Sequence, residues 1–356
     1  MRCLRQAVRH SKCSSTYVEA MTKRNTRGLK DNSRLLRRSS QVLFLLLNVW
    51  IGVQFFLFVR HYETAGSSIQ VSRPPGIEGW LPIASLMNLK AFLETGALPS
   101  VHPAGMFILI AFVLISWLLR KSFCGWLCPV GTVSEWFWRI GKETFKRNWV
   151  LPKWLDLTLR PLKYLLMSLF LYAVAGMSAD AIQSFLAGPY GMVADVKMLN
   201  FFRFMSTSAA VTLGVFAIAS IFIQNFWCRY LCPYGAFLGL FSLASPLMIR
   251  RKPETCIDCG KCARNCPSLL PVDHLVTVKS AECTACLICI DACPVEGALD
   301  LTVARRRVPA WVFTAAIAAI FIGVCGFAQW EGYWHTNLPD QVYMRLVPAA
   351  SELEHP

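Results

Sequence analysis

The run Cys256-Ile257-Asp258-Cys259-Gly260-Lys261-Cys262-Ala263-Arg264-Asn265-Cys266-Pro267 spaces four cysteines as C-x2-C-x2-C-x3-C-P. The run Cys283-Thr284-Ala285-Cys286-Leu287-Ile288-Cys289-Ile290-Asp291-Ala292-Cys293-Pro294 repeats it. Three thiols set two residues apart wrap one face of a small inorganic body, and the fourth, ahead of a proline, is carried away from that loop. Thiolates are soft ligands suited to iron–sulfur or zinc, but zinc sites divide into two separated pairs. The 15 cysteines among 356 residues, about 4%, fall short of the roughly 8–10% of a short disulfide scaffold.

This is the spacing of bacterial two-cluster ferredoxins, in which the fourth cysteine of each run ligates the other run's cluster. It predicts one 4Fe-4S cluster on Cys256, Cys259, Cys262 and Cys293, and a second on Cys283, Cys286, Cys289 and Cys266. Ile257, Leu287, Ile288 and Ile290 are expected to keep water from the clusters, because burial and hydrogen bonds to sulfur set the potential.

Outward from these runs the chain becomes apolar. It is 55% hydrophobic and 16% charged, against about 25% charged in a soluble domain, with Lys+Arg 36 over Asp+Glu 21. So much apolar surface excludes disorder. The charges fall between long uncharged runs instead of clustering on polar faces, which argues against a nucleic-acid partner and for the lipid bilayer. Five stretches lack Asp, Glu, Lys and Arg: 42–59, 95–119, 164–179, 204–228 and 308–330. Each is near or above the roughly 17–25 residues of a spanning helix. Pro99 and Pro103 delay the second helix to about Ala104. A sixth apolar stretch, 234–249, is expected to form a short interfacial or re-entrant helix.

The intervening segments alternate in charge. Residues 1–41, 120–163 and 229–307 hold 11, 9 and 10 Lys+Arg, while 60–103, 180–203 and 331–356 hold 3, 2 and 1. Positive loops stay in the cytoplasm, so the expectation is an inner-membrane protein with its N-terminus and both ferredoxin runs cytoplasmic and its C-terminus outside. The N-terminal segment lacks signal-peptide features and reads as an uncleaved anchor. Met21 is a natural start, with the residues before it expected to be an artefact.

A second cysteine pattern also occurs twice. Phe123-Cys124-Gly125-Trp126-Leu127-Cys128-Pro129-Val130-Gly131 and Trp227-Cys228-Arg229-Tyr230-Leu231-Cys232-Pro233-Tyr234-Gly235 lie 104 residues apart. Both end apolar stretches, so two repeat-related helix pairs are expected to meet at a shared seam, where binding sites form. Cysteines four apart would share one helical face. Cys124, Cys128, Cys228 and Cys232 are therefore expected to converge on one redox site, a further iron–sulfur cluster or a transient metal or dithiol site; the plain alternative is packing of small buried thiols.

The fold class is thus a multi-pass α-helical membrane protein of about five spans carrying an inserted α+β two-cluster ferredoxin domain. The segments are 1–41 basic, 42–249 membrane, 250–305 ferredoxin, 308–330 final helix and 331–356 outer tail.

With Gly76-Ile77-Glu78-Gly79-Trp80-Leu81-Pro82 added to the two cysteine systems, the sequence from about Arg38 onward resembles the membrane-bound polyferredoxins of the NapH and NosR type. That resemblance implies passage of electrons through 4Fe-4S clusters between the quinone pool, or another membrane donor, and an unidentified redox acceptor protein. It makes the chain an electron carrier or redox subunit more than a stand-alone enzyme. The sequence has no C-x-x-C-H haem attachment motif and no flavin-bearing outer domain, so any haem or flavin is expected on a partner. Two other readings stand beside this one: a copper reductase or maturation factor for a respiratory oxidase, and a redox sensor. The outer loops carry no Met- or His-rich tract and there is no output domain.

Weaker signals complete the reading. Trp126, Trp136, Trp138, Trp149 and Trp154, among basic residues, suit the headgroup region. His61 and His102 are expected to be solvated loop histidines, and Glu78, Glu94 and Asp195 exposed acids. Residues 80–93 and 190–202 are placed to cap a quinone pocket, and Cys325 is expected to serve packing.

Overall fold

The computed structural model describes residues 32–146 and 149–355; the expected start at Met21 lies outside them. Among the described residues the first helix, α1 (Ser33–Glu63), is the longest. It presents Leu43, Leu46, Trp50 and Val53 outward and buries Phe55, Phe58 and Val59. A 3-10 turn at Pro75–Trp80 leads into α2 (Pro82–Thr95), and α3 (Pro103–Leu119) follows. Then come α4 (Ser122–Trp126), α5 (Pro129–Phe145), α6 (Lys153–Leu159) and α7 (Leu162–Ala175). Further on lie α8 (Ala194–Arg203), α9 (Thr207–Phe222), α10 (Phe226–Tyr230) and α11 (Pro233–Ser242). After the ferredoxin segment, α12 (Ala310–Trp330) and α13 (Asp340–Leu346) close the described chain.

Among the described residues three helices are long and apolar enough to cross a bilayer: α1, the run Lys153–Ala175 containing α6 and α7, and α12. The pair α8 and α9, bent by 80°, makes a fourth if taken as one span. The bend has a local cause: the Ser206 hydroxyl accepts from the Ala209 backbone N–H and starts α9 afresh. Helix α3 has 17 residues and a length of roughly 26 Å. Each of the five uncharged stretches therefore holds a helix. The sixth holds no helix of bilayer length, since α11 has 10 residues, roughly 15 Å, and the rest of that stretch leads into a sheet.

The sheet is four-stranded and antiparallel, in the order β2-β1-β3-β4. It comprises β1 (Leu247–Arg251), β2 (Thr277–Val278), β3 (Leu299–Val303) and β4 (Arg306–Arg307). Ile249 sits opposite Val278 on one side and Leu301 on the other. The strands thus reach slightly beyond 250–305 at both ends. The ferredoxin segment is not a detached insert. One apolar core contains Ile108, Phe112 and Ile115 of α3, Phe123 and Trp126 of α4, Phe313 and Ile317 of α12, and Leu247, Ile249, Leu287, Ile290 and Leu301 of the ferredoxin segment.

Candidate functional site

The two ferredoxin loops have the same backbone. The residues flanking the middle cysteine take left-handed conformations in both: Asp258 (φ 50°) and Gly260 (φ 64°) in one, Ala285 (φ 45°) and Leu287 (φ 60°) in the other. Such conformations are sparsely populated for non-glycine residues, and they curl each loop around its own cysteines. Cys266, Cys283, Cys286 and Cys289 line one small pocket, whose other walls include Ile249, Leu270, Val272 and Val278. Cys266 reaches this set from the other run, and Cys262 lies beside Cys293. Backbone N–H groups of Ser268 and Leu270 donate to the Cys266 sulfur, while burial pushes its thiol up to about 12.

Among the described residues, no three His, Cys, Asp or Glu side chains are close enough to hold a single ion. Four soft thiols spread around an apolar pocket fit a cubane, which distributes its ligands over four irons, better than they fit mononuclear zinc. The loops differ in exposure. Leu287 and Ile290 are buried as expected, but Ile257 is 41% exposed, so the Cys256–Cys262 loop faces solvent where a shield was expected.

The two C-x3-C-P motifs also fold alike, though not with both cysteines on one helical face. Cys124 and Cys228 lie in the five-residue helices α4 and α10, and Cys128 and Cys232 are the N-caps of α5 and α11. In each motif the second cysteine's backbone N–H donates to the carbonyl of the motif's first residue, Phe123 or Trp227. Its sulfur accepts from the glycine three residues on, at 3.4 Å from Gly131 N and 3.2 Å from Gly235 N. The spacing C-P-x-G is thus a helix start: sulfur at the cap, proline at N1 where no N–H is needed, and glycine donating from N3.

All four of these cysteines line a single cavity of about 620 Å³, together with Lys121, Glu282, Thr284 and Cys286. Burial pushes the Cys124 thiol up to about 12, against the pull of the Lys121 ammonium. Burial and the neighbouring thiols likewise push the Cys128 and Cys228 thiols well up. A bound cation that displaces protons is the ordinary way to keep such sulfurs ionised. Glu282, next to Cys283, is held by Lys163 at 2.6 Å, Tyr164 at 3.0 Å and Lys121 at 3.8 Å. On the other side Arg37 and Gln41 of α1 donate to the Gly125 carbonyl and to Glu135.

Residues 101–149 and again 205–254, which contain these two motifs, match the family described as a 4Fe-4S binding domain, and residues 248–301 match the 4Fe-4S dicluster domain. The chain is 49% identical over 331 residues to YccM of Escherichia coli strain K12, a protein named for electron transport, covering 91% of this chain and 93% of that one. It is 23% identical over 220 residues to the ferredoxin-type protein NapH of the same strain, covering 58% and 70%. With the regulatory protein NosR of Pseudomonas aeruginosa it shares 27% over 191 residues, covering 52% of this chain and 25% of NosR. The chain belongs to the NapH/NosR-type ferredoxin family. No solved structure matches it.

In this NapH/NosR-type ferredoxin the same cavity continues along α1 from Arg37 to Gln54 and ends against Arg73. Those eighteen residues span roughly 26 Å. Its middle is lined by Phe44, Asn48, Trp80, Ile108, Phe112 and Phe321, and the Trp80 indole donates to Asn48 at 3.0 Å. Cys325 lines this cavity too.

The far end corrects several expectations. His102, Glu78 and Asp195 are fully buried, not solvated. Arg73 joins them, donating to Glu78 at 2.7 Å, to Asp195 at 2.7 and 3.0 Å, and to His102 Nδ1 at 3.2 Å. Burial alone would raise the Glu78 carboxyl, but the Arg73 charge and bonds from His102 and Thr336 bring it down to about 2. His61 is buried as well, with Nδ1 2.8 Å from the Ser68 carbonyl. Trp126 is not at a headgroup but in the core, donating to the Ala285 carbonyl at 3.0 Å. Glu94 is exposed and pairs with Lys90. Sequence reasoning gave Arg73 no role; its only signal was an arginine in a segment with just three Lys+Arg.

Proposed function

We propose that this protein is an iron–sulfur electron carrier of the inner membrane, taking electrons from a membrane donor such as the quinone pool and delivering them to a redox partner at the ferredoxin end. In this reading Cys256, Cys259, Cys262 and Cys293 hold one 4Fe-4S cluster, and Cys283, Cys286, Cys289 and Cys266 a second. Cys124, Cys128, Cys228 and Cys232 hold a further cluster or metal. Five helices cross the bilayer as two related pairs and a tether, with the N-terminus and ferredoxin segment cytoplasmic and the C-terminus outside. Such clusters supply one-electron chemistry; the protein sets distance, potential and docking.

The observation that carries this reading is the shared cavity. Cys286 of the ferredoxin segment and both C-x3-C-P pairs line a space that runs on between bilayer-length helices. Lys121, Lys163 and Tyr164 hold Glu282 so that the loop bearing Cys283 and Cys286 stays against the helices. The exposed loop around Ile257 and Asp258 presents the other cysteine set to a partner in solution.

The test is anaerobic purification followed by iron analysis and EPR-monitored redox titration, with decylubiquinol as donor. The expected result is two 4Fe-4S signals that the quinol reduces. Protein free of iron would overturn the reading, and clusters reduced by dithionite but not by quinol would exclude the quinone donor.

A further inference from the structure

Helix α1 begins with Arg34, Arg37 and Arg38, three of the cations whose count places this end in the cytoplasm. Arg34 and Arg38 are exposed, but Arg37 is buried. Its Nη1 and Nη2 donate to the two oxygens of Glu135 at 2.8 and 2.5 Å, and Nη1 also reaches the Gly125 carbonyl at 3.4 Å. Gln41, one turn further on, donates to the same carboxylate at 3.0 Å and the same carbonyl at 3.1 Å.

Gly125 is where the first C-x3-C-P motif meets the ferredoxin segment. A Cβ there would stand 3.1 Å from the Thr284 carbonyl oxygen, so glycine lets the two backbones approach; the other copy of the motif has Arg229 at this position. The Trp126 indole next to it donates to the Ala285 carbonyl. One turn before Arg37, Arg34 pairs with Asp291 of the second ferredoxin run. Arg37 is thereby brought against Cys286, with which it lines the cavity. Burial pushes the Cys286 thiol up, and the charge of Arg37 is the largest influence drawing it down.

An electron added to a centre held by four thiolates adds one negative charge, which a buried apolar setting opposes. A fixed cation in the same setting favours it, and a guanidinium keeps its charge throughout the physiological pH range. Glu135 does not cancel this charge, because Arg139 shares that carboxylate and the three side chains together keep one positive charge. The run nearer solvent has an arginine of its own: Arg251 faces Cys256 and pairs with the exposed Asp258 at 3.4 Å.

We propose that Arg37 sets the reduction potential of the centre on Cys283, Cys286, Cys289 and Cys266, offsetting the cost of an added electron's charge on the side of the ferredoxin segment that touches the first C-x3-C-P motif. This rests on the reading that these four cysteines hold a 4Fe-4S cluster. Each transfer moves one electron: the reductant, a membrane donor or dithionite, is oxidised by one electron, and the charge it gives up is accepted beside Arg37. Without Arg37 the same charge enters an apolar pocket with less compensation, and the potential falls.

The test is an EPR-monitored redox titration of the anaerobically purified full chain in detergent, with dithionite and mediators; the signal of this cluster is the one lost in C266S. R37Q is expected to shift its reduction equilibrium about tenfold toward the oxidised form, about 59 mV for one electron, and to leave the potential of the Cys256 cluster in place. E135Q, which removes the counter-charge, is expected to shift it the opposite way. R34Q, which breaks only the neighbouring pair with Asp291, is expected to leave it unmoved. Loosened packing does not give shifts of opposite sign from the two members of one ion pair. A potential unmoved or raised in R37Q, or unmoved or lowered in E135Q, would overturn the proposal, as would a shift in R34Q as large as that in R37Q. Should R37Q fail to assemble, the sign of the E135Q shift decides alone. Wild-type protein without an iron–sulfur signal would overturn the cluster reading instead.

Discussion

At the scale of single residues, one ferredoxin cysteine lies away from its own run. Cys266 shares a pocket with Cys283, Cys286 and Cys289 although it belongs to the first run. Cys266→Ser is therefore expected to abolish one 4Fe-4S EPR signal and remove about half of the ferredoxin iron, sparing the cluster of Cys256, Cys259, Cys262 and Cys293. Cys293→Ser is expected to do the reverse. Glu78 gives a pH prediction. Its carboxyl is held at about 2 against an ordinary 4.5, so its contribution is fully present above about pH 4.5 and is lost as the pH falls from there toward about 2. Hydrogen exchange of the Pro75–Trp80 turn is expected to accelerate over that acid window, while Glu78→Ala, which leaves Arg73 short of one partner, costs roughly 3–5 kcal/mol at neutral pH.

At the scale of elements, the C-x3-C-P motif is a junction between two helices, and its glycine shows how tightly each copy is built. A Cβ on Gly131 would stand 2.6 Å from the Cys124 carbonyl oxygen, whereas on Gly235 it would meet the Cys232 sulfur at an ordinary 3.4 Å. The first cannot be relieved without moving backbone. Gly131→Ala is accordingly expected to destabilise by roughly 1–3 kcal/mol and to disturb whatever Cys124 and Cys128 hold, while Gly235→Ala is expected to be nearly neutral. Thermal unfolding of the two variants in detergent compares them directly. The sequence showed that the motif was doubled; it did not show that the two copies would differ in slack, because slack depends on which atoms face the glycine after packing.

At the scale of the whole molecule, the ferredoxin segment and the helices share one core and are pinned by ionic contacts. Lys121 and Lys163, both buried, converge on Glu282, Trp126 reaches Ala285, and Arg229 reaches the Ser268 carbonyl at 2.7 Å. Removing Glu282 leaves two buried ammonium groups without their counter-charge. Glu282→Ala is expected to cost roughly 3–5 kcal/mol and to open the Cys283–Cys289 loop to protease before the helices unfold, a difference that limited proteolysis of the intact protein detects. The sequence did not show these contacts, because Lys121 and Lys163 reach Glu282, and Trp126 reaches Ala285, across more than a hundred positions of chain.

Local pattern was enough for the parts of this protein whose physics is local. Cysteines two and three residues apart specify a loop, and eighteen uncharged residues specify a helix, because each depends on neighbours along the chain. Burial of charge was not legible. Glu78, His102 and Asp195 read as residues bound for water, and they enter the interior because Arg73, which had no reading at all, meets all three there. The convergence of Cys124, Cys128, Cys228, Cys232 and Cys286 on one cavity was likewise a matter of helix packing. Sequence determined which elements form and where the soft ligands lie; tertiary structure alone decided which charges could leave water, since a buried charge is tolerated only where its partner is already in place.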